Sequence, residues 1–219
     1  MRHHAVPLVS FLALSLFVSG CALTSKSDSV ILRYFALDGS RAHPTPAGQS
    51  KTSDLQLRLG RVNAASYLKE RIAYRDDGVE VGYYDDLRWT EKPEAYLRRA
   101  LARSFFEEHG LKQIVAGFGP TLEVELSTFD ELRGAKPAVR VEMTWLLRDE
   151  QVVSIQRSFV IERPLATSKG EAAPADVATA LSGALDEGVQ RIVTEVSAAL
   201  TASSTASPAA TPPATPPAK

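Results

Sequence analysis

Leu55, Leu57 and Leu59 alternate with Gln56 and Arg58, the two-residue period of a strand with one buried face. Tyr34 to Leu37 forms a shorter aromatic and apolar run upstream. Ile72 and Tyr74 precede Asp76-Asp77-Gly78, and Val79, Val81 and Tyr83 follow it; an Asp-Gly pair between alternating runs predicts a β-hairpin. Past Trp89 the period changes. From Pro93 to His109, Tyr96, Leu97, Ala100, Leu101 and Phe105 recur every three or four residues among Arg98, Arg99 and Arg103, which predicts an amphipathic helix. Pro93 suits its first turn, where backbone N–H groups have no partner within the helix, and Gly110 suits its end.

Alternation returns at Leu122, Val124 and Leu126, then at Val139, Val141, Met143, Trp145 and Leu147, then from Val153 to Ile161. This predicts an antiparallel meander with turns at Arg133-Gly134 and Asp149-Glu150. After a loop from Pro164 to Pro174, residues Val177, Leu181, Ala184, Leu185, Val189, Ile192, Val196 and Leu200 mark a second helix. The expected class is α+β: a mixed or antiparallel sheet with two helices packed on one face.

The two ends of the chain follow other rules. Residues 1–20 read as an export signal, with Arg2 near the start, an apolar run from Ala5 to Phe17, and Ser19 and Gly20 before Cys21. The run falls short of the ~20 apolar residues that a spanning helix needs. Val18-Ser19-Gly20-Cys21 fits a lipobox, in which small side chains let the backbone lie extended for cleavage and the thiol is presented for acylation. Cys21 is the expected lipid attachment site. At ~0.8 kcal/mol per buried methylene, two or three acyl chains hold a protein to a bilayer effectively permanently. Ala22 stands where Asp retains enteric lipoproteins in the inner membrane, so the expected address is the periplasmic face of the outer membrane. Residues 21–30 read as a lipidated spacer, 31–200 as the domain, and 201–219, composed of Thr, Ala, Ser, Pro and a final Lys, as a disordered tail. Extended at ~3.1 Å per residue, that tail would reach roughly 60 Å.

Composition narrows the chemistry. Of 219 residues, 44% are hydrophobic and 23% charged, ordinary for one globular domain. After loss of the leader, 24 basic residues face 26 acidic ones, a net charge of −2 that gives nucleic acid no basic partner. A single cysteine closes no internal disulfide. His43 and His109 lie far apart with no ligand spacing for a metal, and neither a metal nor a cofactor beyond the lipid on Cys21 is expected. Ser66, Ser104 and Ser127 lack a nucleophile-elbow setting, Asp76-Asp77 and Asp85-Asp86 read as turn residues, and Gly117-Phe118-Gly119-Pro120 reads as a turn before a strand. The expectation is therefore no enzyme. Arg88-Trp89 has two readings: Trp89 packs under the first helix while Arg88 pairs with an acid, or the dipeptide contacts a partner.

Three stretches resemble the ABC-type transport auxiliary lipoprotein family, whose PqiC-like members share operons with ABC permeases and MCE-domain lipid carriers. Tyr34-Phe35-Ala36-Leu37 is similar to its early strand; Tyr67-Leu68 with Ile72 and Tyr74-Arg75 is similar to its Tyr-Leu...Ile-Val-x-Arg stretch; Leu87-Arg88-Trp89-Thr90-Glu91-Lys92-Pro93 is similar to the block that opens its helix. Lys69-Glu70-Arg71 stands where the family has Asp-Arg-Pro, and Lys92 interrupts Glu91 and Pro93. The resemblance implies a non-enzymatic accessory to envelope lipid transport, partnered by an ABC permease and ATPase and an MCE-domain protein, with no catalytic residues to carry over. The alternative is a cell-envelope scaffold or outer-membrane assembly lipoprotein, and self-association stays open.

Overall fold

The computed structural model describes residues 30–37, 53–76, 79–149, 152–167 and 172–206. The signal segment, Cys21, most of the spacer, His43 and the tail from 207 onward lie outside these residues. The folded unit opens at Leu32.

Among the described residues, eight strands and two α-helices follow one another as β1 (Arg33–Phe35), β2 (Gln56–Ala64), β3 (Arg71–Arg75), β4 (Val81–Trp89), α1 (Pro93–Ala102), β5 (Lys112–Gln113), β6 (Thr121–Leu132), β7 (Ala138–Asp149), β8 (Val152–Pro164) and α2 (Pro174–Ala206). They form the expected α+β architecture, with one mixed sheet. β6, β7 and β8 make the antiparallel meander that the alternation predicts, and β3 and β4 make the predicted hairpin.

The N-terminal strands attach to β6 in a way that no local pattern announces. β2 runs parallel to the first half of β6, pairing Leu59 with Leu122 and Ala64 with Leu126. β3 runs parallel to its last residues, pairing Ala73 with Asp130 and Arg75 with Leu132. The two therefore lie end to end along one edge of β6. β5 flanks β2, and β4 followed by β1 flanks β3.

Both helices cover one side of this sheet. Val139, Val141, Met143, Trp145 and Leu147 alternate along β7 toward that side, and all are buried. α2 supplies Val177, Leu181, Ala184, Leu185, Val189, Ile192, Val193 and Val196, each at 0% exposure. Tyr96 of α1 donates a 2.9 Å hydrogen bond to Asp186 of α2, tying the helices together. The other side carries a polar ladder: Arg140 with Glu162, Thr144 with Ser158 at 2.9 Å, and Arg148 with Glu123 at 3.0 Å.

Two helix ends depart from expectation. α1 widens into a single π-type turn over Arg103–Glu108, where His109 N donates to Ser104 O at 3.0 Å, before Gly110 closes it at φ 65°. α2 runs on through Thr201–Ala206, six residues into the stretch assigned by composition to the tail. Those residues are Ala, Ser and Thr with no Pro until Pro208, so nothing in them stops a helix already nucleated on the core.

Candidate functional site

The most concentrated chemistry in the domain sits where the β3–β4 hairpin meets the end of β6, around the adjacent carboxylates Asp130 and Glu131. Neighbours on a strand point to opposite faces. Glu131 pairs across β6 and β7 with Val139 on the helix side, and Asp130 pairs with Arg140 on the open side. Both acids are sealed, with Asp130 at 0% and Glu131 at 2% exposure. A buried carboxylate needs partners, and each has an arginine and a tyrosine.

On the open side, Arg75 Nε donates to Asp130 Oδ2 at 2.6 Å, and the Tyr67 hydroxyl donates to the same carboxylate at 3.0 Å. Arg75 Nη2 also donates to the Tyr67 oxygen at 3.3 Å, so the three groups close a triangle. Burial first, and the facing Asp130 charge second, push the Tyr67 phenol above its ordinary value. The bond to Asp130 holds the Arg75 guanidinium above its own.

On the helix side, the Tyr84 hydroxyl donates to Glu131 Oε2 at 2.7 Å and Arg133 Nε donates to the same oxygen at 3.2 Å. The Arg133 guanidinium lies over the Tyr74 ring at 3.4 Å and the Tyr84 ring at 4.6 Å, two rings that meet edge to face with centroids 5.5 Å apart. Burial, then the Glu131 bond, pushes the Tyr84 phenol up to about 12. Tyr74 lies so close over Gly82 that a Cβ there would collide with its ring, which explains the glycine near the start of β4.

This arrangement suits clamping better than catalysis. Phenols shifted upward remain neutral donors near neutral pH, and both carboxylates are held by fixed partners. The clamp fastens the Tyr67–Arg75 stretch, one of the segments that carries the family resemblance, to the end of β6.

The residues weighed from sequence take these places. Trp89 is 2% exposed and its ring tilts on Phe129 at 5.4 Å between centroids, so it belongs to the core and has no surface to offer a partner. Arg88, half-buried, donates to the Tyr84 carbonyl at 3.1 Å and the Leu87 carbonyl at 2.9 Å, backbone groups where an acid was expected. Asp85 pairs with Arg71 at 2.8 Å on the surface. Ser104 is buried and donates to Glu108 at 3.0 Å, Ser66 is exposed, and Tyr67 reaches the Ser127 carbonyl at 3.3 Å. His109 Nδ1 lies 2.8 Å from the Ser104 carbonyl. The Gly117–Pro120 turn leads into β6, with Gly117 at φ 85° and Arg58 donating to its carbonyl.

Sequence reasoning passed over Asp130 and Glu131. The signal was present: two adjacent acids between Phe129 and Leu132 break the apolar–polar alternation that Leu122 to Ser127 set. Among the described residues, no group of three His, Cys, Asp or Glu side chains could hold a metal, and no helix is long and apolar enough to cross a membrane. A hollow of about 320 Å³ opens at the other end of the sheet, lined by Leu55, Pro120, Leu147, Ile155 and Leu200 among others. A second, of about 460 Å³, lies beside the first turns of α2 between Phe35, Arg163 and Ser182.

Similarity to known proteins agrees with this fold. A crystal structure of a Xanthomonas campestris protein superposes with a TM-score of 0.65 at 22% identity, covering 79% of this chain and 99% of that one. A crystal structure of an uncharacterized protein gives 0.57 at 18% identity, covering 76% and 99%. At these identities the likeness speaks for the fold alone. A search of the curated proteins finds no match. The model of the ABC-type transport auxiliary lipoprotein component matches residues 35–193, most of the folded unit, and the chain belongs to that family.

Proposed function

We propose that the chain is a non-enzymatic auxiliary lipoprotein of an ABC/MCE-type lipid transport system, held by acylated Cys21 at the periplasmic face of the outer membrane. The observation that carries this reading is the family match over residues 35–193. The lipobox Val18-Ser19-Gly20-Cys21 supplies the anchor and Ala22 the outer-membrane address. The part played is structural. Acyl chains fix one end of the protein in a bilayer, and the rigid sheet presents surfaces to a carrier that crosses the periplasm.

Two features of the domain support a docking part over a chemical one. The buried acids are committed to Arg75, Tyr67, Arg133 and Tyr84, and the open sheet face is a ladder of polar side chains around a shallow hollow of about 190 Å³. Wet, polar faces of this kind suit reversible association with another protein. The test is affinity capture of the acylated full chain from membranes together with the products of its neighbouring genes. Co-purification of permease, ATPase and MCE-domain subunits is expected; recovery of cell-wall material alone would overturn the reading in favour of an envelope scaffold.

A further inference from the structure

β1 is an edge strand that hydrogen-bonds only β4 among the described strands. Leu32, just before it, is 44% exposed and Tyr34 is 62% exposed. Two residues apart in extended chain, their side chains share a side. Arg33, between them, stacks over Phe35 at 5.5 Å. An exposed aliphatic residue beside an exposed tyrosine, flanked by an arginine, has the makeup of a bilayer interface, where a tyrosine ring sits at headgroup level.

Chain length says which surface is within reach. From Cys21 to Leu32 is 11 residues. Eleven residues treated as a random coil span roughly 18 Å end to end. The segment before β6 also exposes apolar side chains, Val115 at 81% and Phe118 at 89%. That segment is farther along the sheet from Leu32. β1 pairs with Leu87–Trp89, and Arg88 pairs with Arg71, two residues before the Ala73–Asp130 pair; β1 therefore sits level with Thr128 of β6, about seven residues or roughly 23 Å at ~3.3 Å per residue from the start of that strand at Thr121, with the Phe118 turn beyond it.

We propose that Leu32 and Tyr34 rest on the bilayer that holds the Cys21 lipid, so that the domain stands with its β1 edge on the membrane and its Phe118 turn pointed away. The inference rests on Cys21 being acylated. The anchor supplies the affinity, and the edge then needs only weak contacts to fix orientation, because tethering makes its encounter with the lipid surface intramolecular.

The test uses the acylated full chain in phosphatidylethanolamine and phosphatidylglycerol vesicles, with or without bromine on the acyl chains, which quenches tryptophan that enters them. Tyr34→Trp and Phe118→Trp are compared. Trp89 and Trp145, 2% and 1% exposed, give both chains the same buried background. The added emission of the Tyr34→Trp chain should be lost in brominated vesicles, and that of the Phe118→Trp chain retained. An acylated Tyr34→Trp chain that keeps its emission, as docking of this edge on a protein would give, overturns the inference alone, as does quenching at position 118 instead. A free Cys21 thiol by mass spectrometry overturns the anchoring reading and this inference with it.

Discussion

The two ends of β6 are held by opposite means. Along its first half, Leu122, Val124 and Leu126 enter an apolar layer against β7 and α2, where stability comes from close packing. At its last residues the same strand carries two sealed acids, each satisfied by one arginine and one tyrosine. Packing tolerates exchange of one apolar group for another of similar volume, whereas a buried charge tolerates nothing that removes its partner. The first half can drift in sequence and keep its shape. The hairpin end must keep its partners together.

The comparison breaks most sharply at Arg75. Arg75→Ala leaves the Asp130 carboxylate buried with Tyr67 alone, and should cost about 4 kcal/mol in urea unfolding. Asp130→Asn should cost less, because the Arg75 side chain is 25% exposed and water can reach it. Equal losses from the two variants would show that the pair is not the unit of stability. In the apolar half, Leu185→Ala removes a side chain at 0% exposure and should cost about 3 kcal/mol by transfer and cavity formation. Leu185→Met should cost under about 1.5 kcal/mol, a tolerance that the Arg75 position should lack.

The gentlest probe is pH. The Tyr84 phenol has a folded-state value of about 12 against about 10 in the unfolded chain. Its contribution is therefore complete below pH 10 and fades as pH rises toward 12. Alkaline unfolding should steepen across that window, and Tyr84→Phe should flatten the curve there while leaving the Leu185 side of the molecule unchanged.

Legibility from sequence divides along the same line. The meander and both helices were readable because apolar side chains at period 2 or 3.6 are set by which side faces the core, as at Val139 to Leu147 and Val177 to Leu200. The parallel docking of β2 and β3 was not, since pairing Leu59 with Leu122 or Ala73 with Asp130 leaves no periodic mark in either strand. The clamp was hidden for the same reason. Tyr67 and Arg75 each look like ordinary strand-end residues until the fold brings Asp130, more than fifty positions away, between them. Trp89 was the opposite case: of its two readings, packing in the core and contact with a partner, the structure takes the first, because an indole beside Phe129 buries more apolar area than almost any other side chain.

The end-to-end seating of β2 and β3 along β6 also sets an order of events. Their partners lie some 60 residues downstream, so as the chain is made from its N-terminus these strands are complete long before anything exists to pair with them. The β6–β7–β8 meander, by contrast, closes through short turns and can nucleate as soon as it emerges. The N-terminal half must then stay loose, with its leucines uncovered, until that template appears. A polypeptide that cannot finish early is well matched to a route on which it has to be threaded before it folds.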